Sequence, residues 1–186
     1  MLKKSKDFLK LRKSINNLIN DEVVDIILFG SAAKEKTLPN DIDIAIIFRK
    51  EIRRDILKKF QDSLGEEYHI SSLVVDKFFV KPHSLAKTLL LEGISLLTNK
   101  SLAENFDLKS YTLYTYDLTS EKSSKKVRFI YLMKGRAGNK GVVEKFGGSY
   151  IAASSFTVPI DKDEEMLEIL KAWSVKFFRR KIMLMG

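Results

Sequence analysis

The sequence contains no cysteine, which excludes disulfides, thiolate nucleophiles and thiolate-bound metals. It also lacks an apolar run near the ~20 residues that a helix needs to cross a bilayer. The basic first residues lead into an amphipathic segment rather than a continuous apolar one, so the sequence predicts no signal peptide. We therefore expect a soluble cytoplasmic protein without a membrane partner.

The composition is that of a globular protein, because 45% of the residues are hydrophobic and 31% are charged. A chain of 186 residues can form one medium domain or two small ones. The net charge of +9 is shared by both halves of the chain. A basic surface favours a polyanionic partner such as nucleic acid, although many basic proteins bind none.

The first hundred residues alternate between helical and strand periodicities, which predicts a small mixed sheet backed by helices. We therefore expect an α/β (α+β) fold class, in which helices pack on a mixed sheet. The predicted order is helix, strand, loop, strand, helix, strand, helix and strand, at residues 3–20, 23–29, 32–40, 41–48, 52–64, 68–75, 82–91 and 94–97.

A polar stretch at residues 99–109 predicts a joint between a domain at 1–100 and a smaller α/β unit at 108–186. In the second unit, residues 122–134 fit both a helix and a strand, and the nearby serines favour a helix. The other predicted elements are strands at 111–116, 150–160 and 175–184, a glycine-rich basic loop at 134–141, a short helix before Gly147, and a helix capped by Asp161.

One stretch of the first unit contains candidate residues for binding a phosphate and a metal ion. A buried strand leads into Gly30-Ser31, a nine-residue loop follows, and the next strand begins with Asp41-Ile42-Asp43. Side chains alternate along a strand, so Asp41 and Asp43 point to the same side, where two carboxylates can hold a hard divalent cation. Gly30 lets the backbone approach a phosphate, and the Ser31 hydroxyl can bind phosphate oxygens.

This arrangement resembles the DNA polymerase beta superfamily of nucleotidyltransferases, particularly its minimal bacterial and archaeal members. The resemblance covers about residues 20–98 and rests on Gly30, Ser31, Asp41 and Asp43. It implies that Gly30, Ser31 and Lys34 bind the nucleotide and that the two aspartates hold Mg²⁺ or Mn²⁺. The implied reaction transfers a nucleoside monophosphate from an NTP to an acceptor.

The third catalytic carboxylate of that superfamily is replaced here. Its place on the next strand is taken by His69, which can bind a metal or accept a proton near neutral pH. The same replacement is compatible with lost activity. Asp76 is the nearest acid, but it lies at the end of the predicted strand.

The glycine-rich loop around Arg136 and Lys140 has neither the Walker A nor the dinucleotide-binding spacing. It is therefore either a flexible surface turn or a loop whose Arg136 and Lys140 contact a nucleotide or nucleic-acid backbone.

The leading hypothesis is a metal-dependent nucleotidyltransferase whose acceptor is a nucleic acid, a protein or a small molecule. The alternatives are a catalytically impaired nucleotide- or RNA-binding protein and a component of a toxin–antitoxin complex.

Overall fold

The computed structural model describes residues 6–34, 41–78, 80 and 84–185. The chain forms two compact units, Met1–Asp107 and Leu108–Gly186. Each unit contains its own four-stranded sheet, and each has a separate set of buried apolar side chains. The α+β fold class predicted from the sequence is confirmed.

The first unit contains a mixed sheet with strand order β3-β2-β1-β4. Strands β2 and β3 are parallel, whereas β1 is antiparallel to both β2 and β4. The elements are α1 (Lys6–Asn16), β1 (Val23–Phe29), α2 (Ser31–Lys34), β2 (Ile42–Phe48), α3 (Arg54–Leu64), β3 (Tyr68–Val74), α4 (Ser84–Glu92) and β4 (Ile94–Ser95).

Strand β2 lies in the middle of this sheet and is covered on both faces. Ile44 and Ile46 belong to the core cluster that contains side chains of α1 and α3. Ala45 and Ile47 belong to a second cluster with residues of α4. Because helices cover both faces, the strand can be apolar along nearly its whole length.

A buried polar pair joins β1 to β4. The side chain of Asp25 is only 7% exposed, and its Oδ1 accepts hydrogen bonds from the Ser95 hydroxyl at 2.8 Å and the Ile26 amide at 2.7 Å. Burial raises the pKa of Asp25 above its ordinary value, and the hydrogen bonds from Ser95 and Ile26 oppose that shift. Asp25 therefore has a structural partner on β4, the strand that flanks β1 on the side away from β2.

The second unit contains an antiparallel sheet with strand order β10-β5-β9-β8. Without its inserted hairpin and short helix, the order along the chain is β-α-β-β-α-β, a split β-α-β arrangement. The elements are β5 (Leu108–Asp117), α5 (Ser123–Lys134), β6 (Gly135–Arg136), β7 (Asn139–Lys140), α6 (Val142–Lys145), β8 (Ser149–Ala152), β9 (Ser155–Pro159), α7 (Asp163–Ala172) and β10 (Lys176–Met185).

Aromatic side chains form much of the second core. Tyr114 of β5 stacks on Phe156 of β9 with ring centroids 5.4 Å apart, and Phe129 of α5 meets the edge of Tyr116 at 5.2 Å. Met166 of α7 is fully buried in the same cluster. The ambiguous segment at 122–134 is thus a helix, because Phe129 and Met133 provide its buried side.

A buried polar network attaches α7 to the sheet. The Tyr114 hydroxyl donates to a carboxylate oxygen of Asp163, and Arg179 of β10 donates to the other carboxylate oxygen at 3.4 Å. Burial, followed by the neighbouring Asp163, raises the pKa of Tyr114 well above its ordinary value. Asp163 is only 3% exposed, so its carboxylate depends on these two donors.

Three sequence predictions in the second unit are wrong in detail. The single strand at 150–160 is two strands, β8 and β9, separated by a turn at residues 153–154 in a run of small side chains that carries no glycine or proline signal. The helix expected after an Asp161 cap begins at Asp163 instead, and Asp161 lies in a 3-10 turn. The loop at 134–141 forms the β6–β7 hairpin.

In the first unit, α1 ends at Asn16, earlier than the predicted residue 20. The pair Asn16-Asn17 explains this end, because asparagine side chains compete for backbone hydrogen bonds. The strand predicted at 94–97 is limited to β4. Residues 3–5 of the predicted first helix, most of the loop at 32–40, and Pro82 lie outside the described residues.

Candidate active site

The candidate site lies where β1 ends beside the beginning of β2. Phe29, the last residue of β1, pairs with Asp43 in the antiparallel register. Gly30 follows with a φ of +69°, and a Cβ built on it would lie 2.4 Å from Asp43 Oδ2. The Gly30 backbone and the Asp43 carboxylate are therefore in direct contact, and only glycine leaves room for both.

The two aspartates stand on either side of a buried isoleucine. Asp41 is exposed in the bend before β2, Ile42 is 3% exposed, and the side chain of Asp43 is 37% exposed. Ser31, the first residue of α2, is exposed beside Gly30. Lys34 is the last residue of α2, and its side chain lies outside the described part of the chain.

His69 of β3 is the next side chain along the sheet. It pairs with Asp43 in the parallel register, and its Nδ1 lies 3.8 Å from Asp43 Oδ1. The His69 side chain is 64% exposed, so the ring is accessible from solvent. Asp76 is exposed in a 3-10 turn after β3 and does not share this register.

Carboxylate oxygens dominate the donor set of this site. Among the residues that the structure describes, no group of three or more histidine or acidic side chains is close enough to hold a metal. A pair of carboxylates still fits Mg²⁺, which proteins usually bind through one or two carboxylates, water and substrate phosphates. The donor chemistry therefore suits a cation that arrives with a nucleotide.

The other two candidate residues, Arg136 and Lys140, belong to the second unit. The Arg136 guanidinium lies over the ring of Tyr131 at 4.6 Å from its centroid. The Lys140 ammonium forms an ion pair with Glu144 at 2.8 Å, and both side chains are exposed. Tyr131 was not among the predicted site residues, although helical periodicity places it on the same face as Val127.

A family profile described as "Polymerase beta, Nucleotidyltransferase" matches residues 10–102, which is half of the chain. The chain belongs to the polymerase beta nucleotidyltransferase family. The resemblance carried by Gly30-Ser31 and Asp41-x-Asp43 is thus confirmed at the level of the family. The protein is a nucleotidyltransferase, and its matched region lies within the first unit.

Solved structures also resemble part of this nucleotidyltransferase. A toxin–antitoxin crystal structure with AMP-PNP is 20% identical, and the match covers 48% of this chain and 72% of that chain with a TM-score of 0.35. A complex of the tri-AMPylated Shewanella oneidensis HEPN toxin with the MNT antitoxin is 20% identical, with 48% and 68% covered and a TM-score of 0.31.

No curated protein matches the nucleotidyltransferase by sequence. In the described part of the chain, none of the helices has the length and apolar character required to cross a membrane.

Proposed function

We propose that this nucleotidyltransferase transfers a nucleoside monophosphate from an NTP to an acceptor hydroxyl, with a divalent cation held by Asp41 and Asp43. The contact between the Gly30 backbone and Asp43 Oδ2 carries the proposal. It brings a phosphate-binding turn and a cation-binding carboxylate within reach of one triphosphate.

The turn supplies the nucleotide contacts. Gly30 presents its backbone without a Cβ, and the exposed Ser31 hydroxyl is a donor for a phosphate oxygen. The backbone of α2 ends at Lys34, which remains a proposed nucleotide-binding residue from the sequence resemblance. These groups position the triphosphate so that its α-phosphorus is exposed to the acceptor.

Asp41 and Asp43 would hold Mg²⁺ or Mn²⁺ through their carboxylate oxygens. When bound, such an ion neutralises charge on the triphosphate and on the pyrophosphate that leaves. Asp43 keeps 37% of its side chain exposed, which leaves its carboxylate accessible for this role. Its contact with Gly30 fixes the carboxylate relative to the turn.

In the reaction, the acceptor oxygen forms a bond to the α-phosphorus while the bond between the α-phosphorus and the bridging oxygen breaks. The leaving group is pyrophosphate, and the acceptor hydroxyl loses its proton. His69 would take this proton, a role supported by its exposed ring and its position beside Asp43. General base catalysis of this kind contributes about 10²- to 10⁴-fold to the rate.

The test is transfer of label from an α-labelled NTP with Mg²⁺ or Mn²⁺, using RNA, protein and small-molecule acceptor pools in separate reactions. We expect labelled product in one pool and its loss in the double variant Asp41→Asn with Asp43→Asn. Asp76→Asn is the matched control, since Asp76 is an exposed acid outside the site. Equal labelling by wild type and double variant would refute the proposal.

A second candidate function is nucleotide binding without transfer, and the presence of His69 at the third carboxylate position favours it. His69→Asn and His69→Asp separate the two candidates. If His69 is the base, His69→Asn lowers kcat by about 10²-fold or more with little change in nucleotide affinity. If wild type binds NTP but labels no pool, and His69→Asp gains transfer, the protein has lost the base.

A further inference from the structure

The second unit concentrates positive charge on one helix and the hairpin that follows it. Residues 121–145 contain eight basic and two acidic side chains, in a chain whose total net charge is +9. Both acids are neutralised locally, because Glu121 pairs with Lys125 and Glu144 pairs with Lys140, each at 2.8 Å. The remaining six basic residues are Lys122, Lys126, Arg128, Lys134, Arg136 and Lys145.

The exposed side of α5 also carries apolar and aromatic groups. Val127 is 46% exposed, Ile130 is 36% exposed and Tyr131 is 41% exposed, while Phe129 and Met133 are buried on the opposite side. Positions 127, 130 and 131 lie on one face of a helix. The ring of Tyr131 is thus a partly exposed aromatic surface inside a basic region.

Rigid geometry holds the hairpin at the end of α5. The two-residue turn has positive φ at both Ala137 (51°) and Gly138 (83°), as a type I′ turn requires. A Cβ on Gly135, the first residue of β6, would lie 1.9 Å from the carbonyl oxygen of Asn139 in β7, so the two strands of the hairpin approach too closely there for any other residue. Arg136 is consequently placed over Tyr131 by folded backbone rather than by a free loop.

A cavity lies beside the end of α5, next to α6 and the start of β8. It has a volume of about 340 Å³, and its lining includes Lys134, Glu144, Ser149 and Tyr150. The Lys134 ammonium stands over the Tyr150 ring at 4.6 Å from its centroid. The acid in this lining, Glu144, is paired with Lys140. The basic, hydroxyl and aromatic groups beside it suit a ribose or base attached to a phosphate backbone.

We propose that α5 and the β6–β7 hairpin form a binding surface for single-stranded nucleic acid. Phosphates contact the basic side chains, and an unstacked base packs against Tyr131. A single strand fits better than a duplex, because a duplex offers no free base face to an aromatic ring. This goes beyond the proposed function, since binding here does not require transfer at Asp41 and Asp43.

The test measures binding of the full-length protein to a fluorescent oligonucleotide of about 15 nucleotides, as RNA and as DNA, over a salt series. Lys134→Ala with Arg136→Ala should reduce the slope of log Kobs against log salt by about 1.4, because each lost phosphate contact removes about 0.7. The matched control is Lys109→Ala with Lys176→Ala, which removes equal charge from exposed positions outside residues 121–145.

Stacking is tested by Tyr131→Leu, which keeps an apolar side chain, and by Tyr131→Phe, which keeps the ring. We expect about a tenfold loss of affinity for leucine and little change for phenylalanine. Asp41→Asn with Asp43→Asn should leave binding intact, so failed transfer and failed binding remain distinguishable. Equal losses in the control pair, no binding, or binding only to anionic vesicles or acidic proteins would overturn the proposal.

Discussion

Gly30 is the residue at which backbone conformation and site chemistry depend on each other most closely. Its φ of +69° is in the left-handed region, and its missing side chain leaves space for the Asp43 carboxylate. The sequence motif predicted a glycine that lets backbone approach a phosphate. The structure adds a second role, because the same glycine determines where Asp43 can stand.

Replacement of Gly30 by alanine should therefore reduce transfer strongly. The new Cβ would lie 2.4 Å from Asp43 Oδ2, so the carboxylate must move, and misplacement by about 1 Å can cost 10²-fold in rate. The measurement is kcat for incorporation of labelled nucleoside monophosphate. We expect a fall of at least about tenfold with the folded structure retained.

Gly138→Ala is the matched control for this substitution. Gly138 also has a positive φ, +83°, but a Cβ there meets nothing within 4 Å. Both variants therefore introduce left-handed alanine, at about 1 kcal/mol, while only one displaces a carboxylate. Similar transfer rates in the two variants would show that the Gly30–Asp43 contact has no catalytic importance.

Asp25 predicts a pH dependence of stability. Burial raises its pKa, so the folded protein binds this proton more tightly than the unfolded chain does. Relative to Asp25→Asn, the wild-type free energy of unfolding should be highest below about pH 4 and should fall as pH rises through the folded pKa. Urea unfolding of both proteins across this range measures the difference, and a difference independent of pH would contradict the assignment.

At the scale of elements, periodicity predicted the strands of the first unit well. Strand β1 has the predicted bounds, because an element buried on both faces leaves a continuous apolar run in the sequence. The β6–β7 hairpin was not predicted, since strands of two residues have no periodicity. The pairing register of β2 and β3 could not be predicted either. The sequence therefore suggested His69 as a site residue but not its distance to Asp43.

The attachment of α7 to the sheet gives a stability prediction. Tyr114→Phe removes the hydroxyl that donates to the buried Asp163 carboxylate, which should lower the free energy of unfolding by about 1–3 kcal/mol. Tyr116→Phe is the comparison, because the Tyr116 hydroxyl donates to the uncharged Ala153 carbonyl at 3.2 Å. Denaturant unfolding should rank Tyr114→Phe as the more damaging, and the reverse order would argue against the network.

In the described part of the chain, each of the two units has its own buried apolar residues. The cluster built on Tyr114, Phe129 and Phe156 contains residues of the second unit alone. The family assignment covers residues 10–102, so the second unit lies outside the nucleotidyltransferase region. This division explains why the motif in the first hundred residues predicted a type of reaction. For the second unit, the sequence predicted only helices and strands from hydrophobic periodicity.

A separate core predicts independent folding of the second unit. A fragment of residues 108–186 should unfold cooperatively on heating, with dispersed amide resonances, because its buried cluster is complete within the fragment. The same fragment with Phe156→Ala should be less stable by about 3–5 kcal/mol or fail to fold. A fragment without cooperative unfolding would show that the second core depends on the first unit.

We propose that Asp43, held against the Gly30-Ser31 turn, shares one cation with a bound triphosphate. The most direct measurement is binding of Mn²⁺ by electron paramagnetic resonance, with and without a non-hydrolysable NTP analogue, in wild type and Asp43→Asn. We expect the analogue to increase the Mn²⁺ retained by wild type and Asp43→Asn to abolish this gain. Equal retention of Mn²⁺ by both proteins in the presence of the analogue would show that Asp43 does not hold the cation.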